Sequence, residues 1–129
     1  MPHLTLEYSS NLKPKRDLHQ LFQVFHHVLH QVGGINLENC KSRARVAEQF
    51  LIGAGEPDNG FVHLDIRFIE GRSLATKQSI GGRIKHELMD CFGVSSGDDT
   101  IQITVEIQDI HKATYFKHPE GSLTVIDPV

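Results

Sequence analysis

His3-Leu4-Thr5-Leu6-Glu7-Tyr8 and His63-Leu64-Asp65-Ile66-Arg67-Phe68 are the same pattern sixty residues apart. In the first, Leu4, Leu6 and Tyr8 fall on one face at a period of two, the signature of a strand with one buried side. The second belongs to a longer run of the same kind, from Phe61 to Ile69. After the first come a polar loop holding Pro14 and then Asp17, with Gln20 three residues on, a capping-box start. Leu18, Leu21, Phe22, Phe25, Val28, Leu29 and Val32 recur at spacings of three and four until Gly33 and Gly34 close the run. That spacing predicts an amphipathic helix of about four turns. After the second run, Ser73 is placed to cap another helix, with Leu74, Ile80, Ile84, Leu88 and Phe92 as its apolar positions and Gly93 at its end.

Each helix is followed by another extended segment. Residues 40–52 read as a strand carrying basic side chains, and Ile101, Ile103, Val105 and Ile107 alternate with Gln102, Thr104, Glu106 and Gln108. The chain therefore reads as two β-α-β units, residues 2–52 and 60–110, followed by a tail, 111–129, in which Pro119, Gly121 and Pro128 argue against a long element. Strands joined through a helix run parallel with a right-handed crossover. The expected fold is a two-layer α/β (α+β) sandwich: a four-stranded sheet with both helices on one face, in a single domain spanning 1–129. Two helices leave the second sheet face bare. Apolar residues expected there, Val62 among them, predict that identical subunits cover it.

Composition narrows the class of function. At 129 residues there is room for one ordinary domain. A hydrophobic share of 39% against 22% charged marks a globular chain. The net charge of -3 disfavours a general nucleic-acid binder. No apolar run approaches the roughly 20 residues of a membrane span. The start, MPHLTLEYSSNLKPK, lacks the basic and apolar regions of a signal peptide. Cys40 and Cys91 are too few for a disulfide scaffold, show no redox spacing and read as structural thiols. A cytoplasmic protein is the expectation.

Few residues are candidates for chemistry. Pro2 follows the initiator methionine, and a small residue there permits methionine removal. The exposed secondary amine would start from a terminal-amine pKa of about 7.7–8, and burial would pull it towards neutrality. Such an amine is a general base that needs no cofactor. If Met1 stays, the same nitrogen is an amide and has no basicity. Lys41, Arg43 and Arg45 alternate onto one face of the third extended segment, either as a solvated edge or as an anion site. Arg72, in Gly71-Arg72-Ser73-Leu74, stands at a helix start, where free N–H groups favour anions; it reads either as an exposed loop arginine or as a carboxylate ligand. His26 and His30 are four apart on the first helix, but no third metal ligand follows at a standard spacing, and a solvated helix face is the simpler reading.

The arrangement of these residues resembles the 5-carboxymethyl-2-hydroxymuconate Δ-isomerase family of the tautomerase superfamily. The resemblance rests on Met1-Pro2-His3 with Glu7-Tyr8-Ser9, Ser42-Arg43, Phe61-Val62-His63 and Gly71-Arg72-Ser73-Leu74. It extends to Glu106-Ile107-Gln108-Asp109-Ile110-His111 with Phe116-Lys117. It implies a tautomerase-like tandem β-α-β fold assembled as a homotrimer, with no metal and no organic cofactor. It implies that Pro2 is the base for moving a proton within a 2-hydroxymuconate-type dienol, in bacterial breakdown of homoprotocatechuate. Lys41, Arg43 and Arg72 would bind the carboxylates of a small anionic substrate. The family reads Arg-Ser-Arg where this chain has Lys41-Ser42-Arg43, so one bidentate carboxylate ligand is replaced by a point charge. The alternatives are a related tautomerase acting on another keto–enol acid, or a non-catalytic trimeric binding protein if Met1 is retained.

Overall fold

A computed structural model describes residues 2–120 of the chain. Met1, whose removal decides the basicity of Pro2, and the part of the tail holding Gly121 and Pro128 lie outside the described residues. The elements run β1 (His3–Ser9), α1 (Leu18–Gly33), β2 (Lys41–Ala47), β3 (Gly60–Ile69), α2 (Leu74–Phe92) and β4 (Ile101–Ile110). Short 3-10 turns at Leu37–Asn39 and Lys112–Thr114 follow α1 and β4. The sheet order is β2-β1-β3-β4. β1 and β2 are parallel, as are β3 and β4, and the two units meet antiparallel through β1 and β3. A two-layer sandwich of a four-stranded sheet and two helices is the result.

The core is built by cross-strand rows that face the helices. Leu4 stands opposite Ile66, Leu6 opposite Leu64 and Tyr8 opposite Val62, all buried. Leu21, Phe25, Val28 and Leu29 from α1, and Ile80, Ile84, Leu88 and Phe92 from α2, close over them. Tyr8 packs its ring against Phe92 at 5.1 Å. α1 ends because Gly34 takes the left-handed conformation, φ 66°, and turns its N–H back to the His30 carbonyl. The side chain of Ser73 accepts from the Thr76 backbone at 3.1 Å, as expected for the cap of α2. Asp17 does stand at the N-cap of α1, yet its side chain makes no capping bond.

Two expectations are corrected. The third extended segment ends as a strand at Ala47, short of residue 52. Its ladder partner β1 stops at Ser9, paired with Ala47, so the chain beyond has no strand to continue on. The sheet face turned away from the helices is polar, not apolar. Val62 is fully buried beneath the helices. The opposite face presents His3, Thr5 and Glu7 of β1, Lys41, Arg43 and Arg45 of β2, and His63, Asp65 and Arg67 of β3, by strict alternation. Incompletely covered apolar surface lies instead at the sheet edges. Ile101, Ile103, Val105 and Ile107 of β4 are only partly buried on the helix side. Val105 and Ile107 line a groove of about 440 Å³ along α2, while Val46 on the other edge strand and Leu51 just past it are exposed.

Candidate active site

Strand register gathers most of the candidate residues at one end of the sheet. His3 stands opposite Lys41 on one side and Arg67 on the other. Pro2, one residue earlier, is buried, and its carbonyl accepts the Lys41 backbone N–H at 3.1 Å. Arg43 pairs in register with Thr5, but its guanidinium reaches back to His3, where Nη2 lies 2.8 Å from Nδ1. Arg45 stands opposite Glu7. Four residues along a strand is about 13 Å, so Arg45 is not brought to the Pro2 end.

Arg72 approaches that end from the loop between β3 and α2. Its guanidinium lies 5.7 Å over the ring of Phe68, the residue after the partner of His3. Nε donates to the Gly33 carbonyl at 2.8 Å. Part of the guanidinium is thus turned to the C-terminal end of α1, where the helix dipole is negative.

The local field is positive. The charge of Arg67 is offset by Asp65 at 3.6 Å. Lys41 donates to the neutral Asn39 carbonyl at 3.0 Å, and Arg43 to a neutral imidazole. Burial first, then Arg43 and the other nearby cations Lys41 and Arg67, hold His3 below its ordinary pKa of 6.5. Burial pushes the Cys40 thiol up to about 11, so it stays protonated, in keeping with a structural role. A chain that is acidic overall can therefore present an anion site here, because the cations are local.

Sequence reasoning gave no bonding role to three participants. His3 links Arg43 on Nδ1 to the Tyr115 hydroxyl on Nε2, at 2.9 Å. No local pattern marks Tyr115, which lies 112 residues away in the tail. The third is Ser42, whose Oγ lies 2.8 Å from His26 Nε2. His26 and His30, considered as a metal pair, are used as clips: His30 Nδ1 bonds the Ile35 carbonyl at 2.8 Å. His26 sits on the inner side of α1, and its spacing from Phe22, Val28 and Leu29 was the available signal.

Comparison with known proteins finds relatives over nearly the whole chain. A family model described as 5-carboxymethyl-2-hydroxymuconate isomerase matches residues 2–120. The 5-carboxymethyl-2-hydroxymuconate Delta-isomerase of Escherichia coli is 26% identical over 91% of this chain and 93% of its own. The crystal structure of a 5-carboxymethyl-2-hydroxymuconate isomerase from Deinococcus radiodurans R1 is 28% identical, with a TM-score of 0.78 over 95% of this chain and 90% of that one. A symmetric trimer of fused 4-OT shares the fold at 17% identity, with a TM-score of 0.75 over 95% of this chain and 97% of that one.

Proposed function

The chain belongs to the 5-carboxymethyl-2-hydroxymuconate isomerase family, and from that premise we propose that it isomerises a 2-hydroxymuconate-type dienol acid, with the nitrogen of Pro2 as the base. With Met1 removed, Pro2 carries a secondary amine. Its buried position and the nearby cations both disfavour the ammonium form, so the amine is free to accept a proton near neutral pH. It takes the hydroxyl proton of the dienol, and the negative charge spreads over the oxygen and the conjugated carbons. The same nitrogen returns the proton to a carbon further along, giving an unsaturated ketone of unchanged composition. Conjugation makes the hydrogen acidic, so neither a metal nor an organic cofactor is required.

Lys41, Arg43 and Arg72 hold the substrate carboxylates and steady the charge that develops on oxygen. The observation that carries this reading is the backbone bond from Lys41 to the Pro2 carbonyl, 3.1 Å. It fixes the start of β1 against the cationic strand. The test compares protein verified by mass to begin at Pro2 with protein carrying one residue ahead of it. The first should turn over a 2-hydroxymuconate and the second should not. Equal rates would eliminate Pro2 as the base.

The same reading makes the protein a homotrimer and a cytoplasmic enzyme of aromatic-acid breakdown. Among the described residues no helix is long and apolar enough to cross a membrane. The trimer is supported by the symmetric assembly of fused 4-OT and by the half-covered apolar side chains along β4. Sedimentation equilibrium should return three times the chain mass, and a stable monomer at micromolar concentration would exclude the assembly.

A further inference from the structure

Arg43, His3 and Tyr115 form a hydrogen-bonded chain whose direction is fixed by the chemistry of its first member. Arginine only donates. Because Arg43 Nη2 lies 2.8 Å from His3 Nδ1, that nitrogen must hold a lone pair. A neutral imidazole then carries its hydrogen on Nε2, an assignment made from the bonding network. Nε2–H therefore donates to the Tyr115 oxygen 2.9 Å away. The reverse, Tyr115 donating to Nε2, would leave both ring nitrogens as acceptors, which only an imidazolate allows. The hydroxyl hydrogen of Tyr115 must point elsewhere, and among the described residues no acceptor takes it.

We infer that the Tyr115 hydroxyl donates a hydrogen bond to an anionic oxygen of a dicarboxylate substrate, making the tail a part of the binding site. The surroundings favour an anion over any other acceptor. His3, which holds Tyr115, is the residue after Pro2, and it lies opposite Lys41 and bonded to Arg43. The phenol ring is itself positioned, edge to face with His3 at 6.3 Å. A preset donor of this kind strengthens binding because little freedom is lost when the ligand arrives. The inference adds a ligand-contacting residue to the proposed site, and it rests on that reading for the location of the substrate but not for the reaction.

The test uses cis,cis-muconate, an unreactive dicarboxylate, and calorimetry with protein that begins at Pro2. Tyr115→Phe removes only the hydroxyl, and a bond to a charged group is worth about 1.5–3 kcal/mol, so affinity should fall at least about tenfold. Unchanged affinity, or no muconate binding by the unsubstituted protein, would overturn the inference. If the variant fails to fold, the unsubstituted protein still decides. It has two tyrosines, so ring-carbon NMR of labelled tyrosine resolves Tyr115 from the buried Tyr8. Muconate should move the Tyr115 signal and leave Tyr8 in place, and an unmoved Tyr115 signal would reject the contact. Muconate binding that depends on Tyr115, together with no turnover of a 2-hydroxymuconate, would reject the proposed reaction and leave this inference standing.

Discussion

His26 Nε2 lies 2.8 Å from Ser42 Oγ, and the serine sits on β2 between the two cations Lys41 and Arg43. β2 is an edge strand, held on one side by β1 alone. The bond from α1 is therefore a second restraint on the strand that carries the positive charge. Burial and the neighbouring His27 hold His26 below its ordinary pKa of 6.5, so its uncharged form is the one that makes the bond.

Replacing His26 by leucine should cost about 0.5–1.5 kcal/mol, the net value of a neutral hydrogen bond, and should raise KM for a dicarboxylate more than it lowers kcat. Asparagine can still reach a hydroxyl and should recover part of both. Urea denaturation and steady-state kinetics on the two variants check this. Equal KM values for leucine and asparagine would mean that the clip does not position the cations.

The pH dependence of stability has a definite sign. His3 and His26 both titrate below 6.5 in the folded chain and near that value when unfolded. Between the two values the unfolded state binds more protons, so stability is fully present above the unfolded pKa and is lost as pH falls through the folded values. Thermal midpoints should hold steady from pH 8 to about 7 and fall below about 6.5, before most carboxylates protonate. His3→Gln combined with His26→Asn should flatten that fall, and an unaltered slope would assign the acid sensitivity to other groups.

The strands and helices were legible because their apolar periods are clean: Leu4, Leu6 and Tyr8 at two, and Leu21, Phe25, Val28 and Leu29 at three and four. The chemistry of the sheet faces was harder to read. β3 alternates Val62, Leu64 and Ile66 with His63, Asp65 and Arg67, and period alone does not say which set lies beneath the helices. Placing Val62 outside therefore predicted an apolar bare face where the fold has a polar one. The cations at positions 41, 43 and 72 were visible as residue types, whereas their partners depend on tertiary contacts. Arg72 meets Gly33 across 39 positions and His3 meets Tyr115 across 112. No local pattern encodes such pairs.

Arg72 has a structural duty that any substitution will disturb. Its Nε donates to the Gly33 carbonyl at the end of α1 and its guanidinium covers Phe68. Arg72→Ala should lower stability by about 1–3 kcal/mol through the lost charged hydrogen bond and cation–π contact. Arg72→Lys keeps the charge but lacks the planar fork, and should recover less than half of the loss. Denaturant midpoints of the folded protein measure this directly, and a midpoint unchanged in the alanine variant would mean that the bond to Gly33 and the contact over Phe68 add no stability. If Arg72 also holds a carboxylate, turnover of a dicarboxylate will fall further than that of a neutral enol in the same variant.

Lys41 offers a substitution that should improve the site. Its ammonium is a compact charge resting on the Asn39 carbonyl at 3.0 Å, and it lies opposite His3 in the ladder. An arginine there would offer a planar pair of donors to a carboxylate while keeping the charge. The main-chain bond from residue 41 to the Pro2 carbonyl would remain, because it uses the backbone. Lys41→Arg should therefore lower KM for a dicarboxylate by roughly two- to fivefold, one to two neutral-bond equivalents at the low end of the usual range. Because the added bond forms in the ground state and the transition state alike, kcat should stay within about twofold. A monocarboxylate enol bound through the other cations should show no gain. Steady-state kinetics on both substrates, with the start at Pro2 verified by mass, decides the matter: equal gains would mean that residue 41 acts only through its charge, and no gain on either would place the carboxylates elsewhere.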